Sequence, residues 1–235
     1  MSTKVKNPND SGSGFIVAII AVVAVIAAVI GVVLYMGRSK EADELAKSFP
    51  SAEVNASVAF DGAVVVFKKD GAAAKSADLY EDFSCTYCAQ LDAASGEDAL
   101  KAIEAGDLEL RVHTLNFMDR GADGHSTEAM AAFETVAHSG DAKLAWNYRA
   151  MLMRDQQKVF NWSKQDFADA AKVMGASDDV VKKIADGAGI DETKANAETN
   201  AETLRAAINE VSSPHVLQDG KQVDQNGWVE TVTKK

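Results

Sequence analysis

Cysteine is almost missing from this chain: Cys85 and Cys88 are the only two among 235 residues. A four-thiolate zinc site is therefore excluded, and a mixed site would need ligands from the only four histidines, His113, His125, His138 and His215. A disulfide-stapled scaffold is equally disfavoured, because a bridge between residues three apart closes too small a loop to remove much chain entropy. Proline is scarce, with Pro8, Pro50 and Pro214 alone. Residues 51–213 thus contain nothing that forbids long helices. Basic residues are outnumbered by acidic ones, 24 to 35, for a formal net charge of -11. That balance argues against nucleic acid and against an anionic membrane surface as partners.

What is present is the spacing of the two cysteines. They form a C-x-x-C pair, which random placement would give in roughly one case in a hundred. The preceding residues, Asp78 to Phe83, read as a strand ending in an aromatic, and the following ones as the start of a helix. This junction sets both sulfurs at the first helical turn, where free N–H groups and the helix dipole stabilise a thiolate. The arrangement reads as a thiol–disulfide redox site. Cys85, first and at the open helix end, is expected to be the exposed nucleophile, and Cys88, one turn in, the buried resolving thiol. Glu81 and Asp82 precede the pair; a carboxylate there could take a proton from Cys88, but solvated strand-end residues are the favoured reading.

The N-terminus supplies a second feature. Residues 1–14 are polar and read as a tail. Residues 15–36 are then uncharged and almost wholly apolar. At 1.5 Å per residue this run spans roughly 33 Å, enough to cross a bilayer core. It is longer than the apolar region of a cleaved signal peptide and lacks a suitable cleavage site. The expectation is an uncleaved anchor, N-terminus cytoplasmic and the rest extracytoplasmic, since a chain with no stray thiols suits an oxidising exterior. Residues 37–56 read as a linker with a short helix before Pro50, and the folded domain is expected from residue 57.

Within that domain, Ala63 to Phe67 is a β-branched run between Asp61-Gly62 and Asp70-Gly71, hence a strand. Residues 76–83 make a second. A helix follows Cys85, expected to break at Gly96 and resume from Ala99 to Ala105. Leu108 to Leu115 alternates apolar and polar, a third strand. Residues 126–209 read as a helical block, with breaks at residues 139–141, 161–163, 175–177 and 187–189. Its apolar positions at helical spacing, including Phe133, Val136, Trp146, Tyr148, Met151 and Leu152, are expected core. Residues 211–223 read as a strand, an Asp219-Gly220 turn and a second strand. Residues 228–235 form a terminal segment.

The combination YEDFSCTYC, helical block, SSPHVLQDGK resembles the membrane-anchored, DsbA-like thiol–disulfide oxidoreductases of Gram-positive bacteria. The resemblance covers roughly residues 58–227. It implies an α/β, thioredoxin-like fold with an inserted helical domain at about 126–209, preceded here by one transmembrane helix. It also implies a redox-active Cys85–Cys88 disulfide as the only prosthetic device. Pro214 would be a cis proline lying against the cysteines, with Ser213 offering backbone groups to a bound substrate. Independently, a proline standing immediately before a strand calls for a special turn. The chain departs from the family pattern at Thr86, where proline is usual, at Tyr87, where strong oxidants often carry His, and at Ser212-Ser213, where Gly-Thr is usual. Tyr is neutral at pH 7 and cannot stabilise a thiolate as a histidine does, so the direction of catalysis stays open between oxidase, reductase and isomerase.

Three functions fit these residues. The first is an oxidoreductase acting on protein thiols or disulfides. The second is a copper(I) carrier using Cys85, Cys88 and His215, which are soft or borderline ligands. The third is an accessory or assembly subunit of a membrane respiratory complex. The first is the leading expectation.

Overall fold

The computed structural model describes residues 12–234. The chain divides into two compact units, 1–41 and 42–235. A helix, α1 (Gly12–Ser48), contributes to both. In the first unit every side chain along 16–32 is exposed. Among the described residues no helix is long and apolar enough to cross a membrane. Most of the expected tail lies outside the described residues, as do the side chains of residues 15 and 33–36 at the two ends of the expected span.

The second unit begins earlier than residue 57. Ala42, Leu45 and Ala46 recur at helical spacing and are buried. The Arg154 guanidinium lies 4.5 Å from the Phe49 ring centroid. Ala52 exchanges hydrogen bonds with the Asn147 side chain, its N–H to Oδ1 at 2.7 Å and its carbonyl from Nδ2 at 2.9 Å. From residue 42 the expected linker 37–56 is thus part of the folded unit, a helix end followed by irregular chain, with the apolar residues of the helix end on one stripe.

The sheet has six strands: β1 (Ser57–Asp61), β2 (Val64–Lys68), β3 (Lys75–Asp82), β4 (Leu108–Leu115), β5 (His215–Gln218) and β6 (Lys221–Gln222). They lie side by side in the order β1-β2-β4-β3-β5-β6. Only β3 and β4 are parallel, in register from Lys75↔Leu108 to Asp82↔Leu115; the other neighbours are antiparallel. A parallel pair needs a crossover, and α2 (Thr86–Ala105) provides it. β1 was not anticipated: at five residues, with only Val58 buried, it has no strong periodic signal.

The expected break at Gly96 does not occur; α2 is one continuous helix. Glycine costs a helix interior about 1 kcal/mol relative to alanine, yet here its bareness is used. The Asp92 carboxylate lies over it, so that a Cβ at this position would stand 3.2 Å from Oδ1. The helix ends at Gly106, whose φ of 77° closes a left-handed cap.

Between β4 and β5 the chain makes a 3-10 turn (Phe117–Asp119) and six helices. These are α3 (His125–Ala137), α4 (Ala142–Arg154), α5 (Gln156–Val159), α6 (Lys164–Val173), α7 (Asp178–Asp186) and α8 (Ile190–Ile208). All four expected breaks are present, and a fifth falls at Asp155. Ser163 caps α6 in a reciprocal box with Asp166. Phe133, Val136, Trp146, Tyr148, Met151 and Leu152 are all buried. A last helix, α9 (Trp228–Thr233), packs Trp228, Val229 and Val232 inward.

Candidate redox site

The central strand β3 delivers the cysteines. It ends at Asp82, whose carbonyl accepts the Cys85 N–H at 2.9 Å. Cys85 is the N-cap of α2, with extended φ and ψ of -85° and 112°. Cys88 follows in the first turn, and its N–H donates to the Cys85 carbonyl at 3.0 Å. Both thiols are free. The loop before β5 comes up against them. In this dithiol form the Cys85 thiol donates to the Ser213 carbonyl at 3.3 Å, and the Cys88 thiol to Ser213 Oγ at 3.2 Å. The Ser213–Pro214 bond is cis and Pro214 is buried. Thr86 and Tyr87 are exposed at the mouth, Tyr87 to 69 %.

The two sulfurs are electrostatically unlike. A hydrogen bond from Cys88 holds the Cys85 thiol down to about 5, against its own burial, helped by the Ser213 side chain and by the N–H groups of Cys88 and Tyr87. Burial pushes the Cys88 thiol far up, and the bond to Cys85 pushes in the same direction. Cys85 is not openly exposed as expected: it is 5 % accessible and Cys88 2 %. The asymmetry between them has two causes, hydrogen bonding that lowers Cys85 and burial that raises Cys88.

The carboxylates beside the pair depart further from expectation. Glu81 and Asp82 are buried, not solvated, because the inserted helices cover the end of β3. Glu81 forms a two-pronged ion pair with Arg149 of α4, one prong at 2.7 Å, and Arg149 also donates to Asp92 of α2 at 2.7 Å. Burial raises the Glu81 pKa while Arg149 opposes it. Asp82 accepts from Ser84 N at 2.8 Å, Ser126 Oγ at 2.6 Å and Met118 N at 3.1 Å. Burial pushes its carboxyl up to about 6. Ser126 Oγ also lies 2.7 Å from Ser84 Oγ. Arg149, Ser126 and Gln156, which touches the Cys85 carbonyl, are the residues that sequence reasoning missed. Nothing in their local pattern announces a partner some forty to seventy positions away.

A small cavity of about 10 Å³ lies behind Cys88, lined by Glu81, Asp92, Arg149, Pro214 and Trp228 among others. Outside, an open groove of about 670 Å³ runs from Tyr87 along Gln90 and Leu91 to Gln225 and Asn226. His215 is not brought to the sulfurs. Its Nε2 lies 2.7 Å from Ser212 Oγ and its Nδ1 2.6 Å from Gln222 Nε2. Among the described residues no group of three or more His, Cys, Asp or Glu is disposed to hold a metal ion. The copper reading therefore lacks its third ligand.

With this geometry in hand, comparison with known proteins is specific. A family profile described as Thioredoxin matches residues 70–234. The MdbA protein of Corynebacterium diphtheriae, a thiol-disulfide oxidoreductase, superposes with a TM-score of 0.77 at 41 % identity, over 79 % of this chain and 98 % of that one. The MdbA protein of Corynebacterium matruchotii gives 0.79 at 38 % identity, over 82 % and 98 %. A curated relative, the serine/threonine-protein kinase PknE of Mycobacterium tuberculosis, is 30 % identical over 165 residues, 67 % of this chain. The chain spans only 29 % of that kinase's length. The C-x-x-C at the head of α2, the proline loop against it and these matches together make the chain a member of the thioredoxin family, among its DsbA-like thiol–disulfide oxidoreductases.

Proposed function

We propose that the protein is a membrane-anchored, extracytoplasmic oxidoreductase that exchanges disulfides with the cysteines of secreted or membrane proteins. The observation that carries this reading is the contrast between a Cys85 thiol held near 5 and a Cys88 thiol pushed up by burial, one helical turn apart. At neutral pH Cys85 is then the thiolate. It attacks one sulfur of a substrate disulfide, forming a mixed disulfide and releasing the other substrate sulfur as a thiolate. Cys88, on losing its proton, attacks Cys85 Sγ, expels the second substrate sulfur as thiolate, and leaves the Cys85–Cys88 disulfide. Oxidation of substrates runs the same steps backward. Thr86, Tyr87, Ser213 and Pro214 shape the mouth where the substrate cysteine enters, and the groove beside Tyr87 receives the chain on one side of it.

The anchor is read from residues 15–36, uncharged over a length that spans roughly 33 Å as helix. The similarity to MdbA, named a thiol-disulfide oxidoreductase, supports the chemistry. The test is oxidative refolding of a reduced, cysteine-containing protein and reduction of insulin, run side by side with the redox equilibrium against glutathione. Activity in neither assay would leave the accessory-subunit reading standing. Protease added to intact spheroplasts should remove the folded domain; its full protection would overturn the orientation.

A further inference from the structure

The end of β3 and the loop after it are held by the inserted helices almost residue by residue. Arg149 of α4 binds Glu81, Ser126 of α3 binds Asp82 and Ser84, and Gln156 of α5 binds Cys85 itself. The last contact differs in kind from the others. Gln156 Nε2 donates to the Cys85 carbonyl at 3.0 Å. That oxygen already accepts from Cys88 N at 3.0 Å and Ala89 N at 3.2 Å, the first bonds of α2. A carbonyl has two lone pairs, so the helix needs no third donor to be satisfied. The amide is held at the carbonyl of the residue that carries the reactive sulfur, and the positive end of a donor nearby favours negative charge while a carboxylate opposes it. The same Nε2 also donates to Met153 Sδ at 3.7 Å, a second hold on the side chain.

We propose that Gln156 is a positioning residue for thiol–disulfide exchange: through the Cys85 carbonyl it fixes the sulfur-bearing turn and favours the thiolate of Cys85. The inference rests on Cys85 being the reactive thiol. It assigns the inserted domain a part in setting the reactivity of a sulfur that it does not carry.

The experiment is the pH dependence of Cys85 alkylation in the reduced full-length protein, mapped by mass spectrometry, together with the equilibrium against glutathione. Gln156→Glu keeps the shape and replaces the donor by a carboxylate. It should raise the alkylation midpoint by about one pH unit, a tenfold loss of thiolate below both midpoints. Gln156→Met keeps the length without the donor and should raise it by about half a unit, roughly threefold. The glutathione equilibrium should shift towards the disulfide form of the protein by the same factors, because the reduced form loses its stabilised thiolate. Midpoints that coincide with wild type in both variants overturn the proposal, as does a lowered melting temperature with no shift in midpoint. If wild-type Cys85 itself titrates near the free-thiol value of about 8.5, the underlying reading of the site fails, and this inference with it. A low wild-type midpoint shared by both variants removes this inference alone.

Discussion

Two glutamates are buried on opposite sides of the join between sheet and insertion, and the fold treats them differently. Glu81, at the end of β3 and on the wall of the cavity behind Cys88, faces Arg149 across a two-pronged ion pair. Glu134, on α3, meets no cation among the described residues. It accepts instead from Thr114 Oγ1 at 2.9 Å, Thr193 Oγ1 at 3.0 Å and Asn196 Nδ2 at 3.0 Å. Burial pushes its carboxyl up to about 7, against those three donors. Glu81, behind the sulfurs, is answered with a fixed positive charge; Glu134, like Asp82 beside the cysteines, is answered with neutral donors and is raised by burial. The Arg149 charge beside Glu81 keeps its sign across pH, whereas Glu134 leaves the insertion, and Asp82 the approach to Cys85, responsive to it.

The largest expected effect lies in the sulfurs that Glu81 backs. Cys85→Ser should abolish exchange in both assay directions, while Cys88→Ser should leave Cys85 reactive and accumulate mixed disulfides visible on a non-reducing gel. Equal loss of labelling in both variants would erase the asymmetry between the two thiols.

Next in size is the ion pair. Arg149→Met strands Glu81 in the interior, leaves the half-buried Asp92 without this partner, and should lower unfolding free energy by about 3–5 kcal/mol in a urea titration. Adding Glu81→Gln to it should recover part of that loss. A change under 1 kcal/mol would mean that Glu81 takes up a proton as easily as Glu134 does, and the contrast would vanish.

Glu134 supplies the third test. Its carboxyl is raised above the ordinary value of 4.5 to about 7. Between those two pH values the native state keeps a proton that the unfolded chain has lost. Stability therefore falls as pH rises through this window and levels off above it, by roughly 3 kcal/mol in all. Subtracting the pH–stability curve of Glu134→Gln from that of wild type isolates the contribution. A flat difference from pH 4 to 8 would show that the hydrogen bonds alone hold Glu134 ionised. The smallest effect is expected within the insertion: Ser163→Ala removes the capping box of α6 and should cost about 1 kcal/mol.

The sheet half was far more legible than the contacts between the halves. β2, β3, β4 and the terminal hairpin follow from β-branched runs, alternation and an Asp-Gly turn, all local signals. The helical breaks at Gly140, Ser163, Ser177 and Gly187 follow from capping chemistry, equally local. Pro214 was readable because a proline before a strand needs a reason. The packing of 42–56 was not readable: Ala42, Leu45 and Ala46 make a stripe too small to outweigh the polar residues around it. Nor was the continuity of α2, since the use of Gly96 depends on where Asp92 leans to meet Arg149. The site suffered the same limit. Cys85, Cys88, Ser213 and Pro214 stand together as expected, but the burial of Glu81 and Asp82 depends on helices encoded long after them.

The strand order has a consequence in time. β3 pairs with β4 soon after both exist, but its other neighbour, β5, starts at His215, beyond all of α3–α8. At a synthesis rate of about 5–20 residues per second, the intervening stretch takes roughly 5–20 seconds to appear. For that interval the nascent chain carries both sulfurs with no Ser213 beside them and one flank of its central strand unpaired, an edge open to other strands. The molecule is thus an unfinished redox protein before it is a finished one, and its own thiols need protection that only its last twenty or so residues bring. A chain truncated after Ile208 should retain β3, α2 and β4 yet leave Cys88 open to alkylating reagents that the full chain excludes.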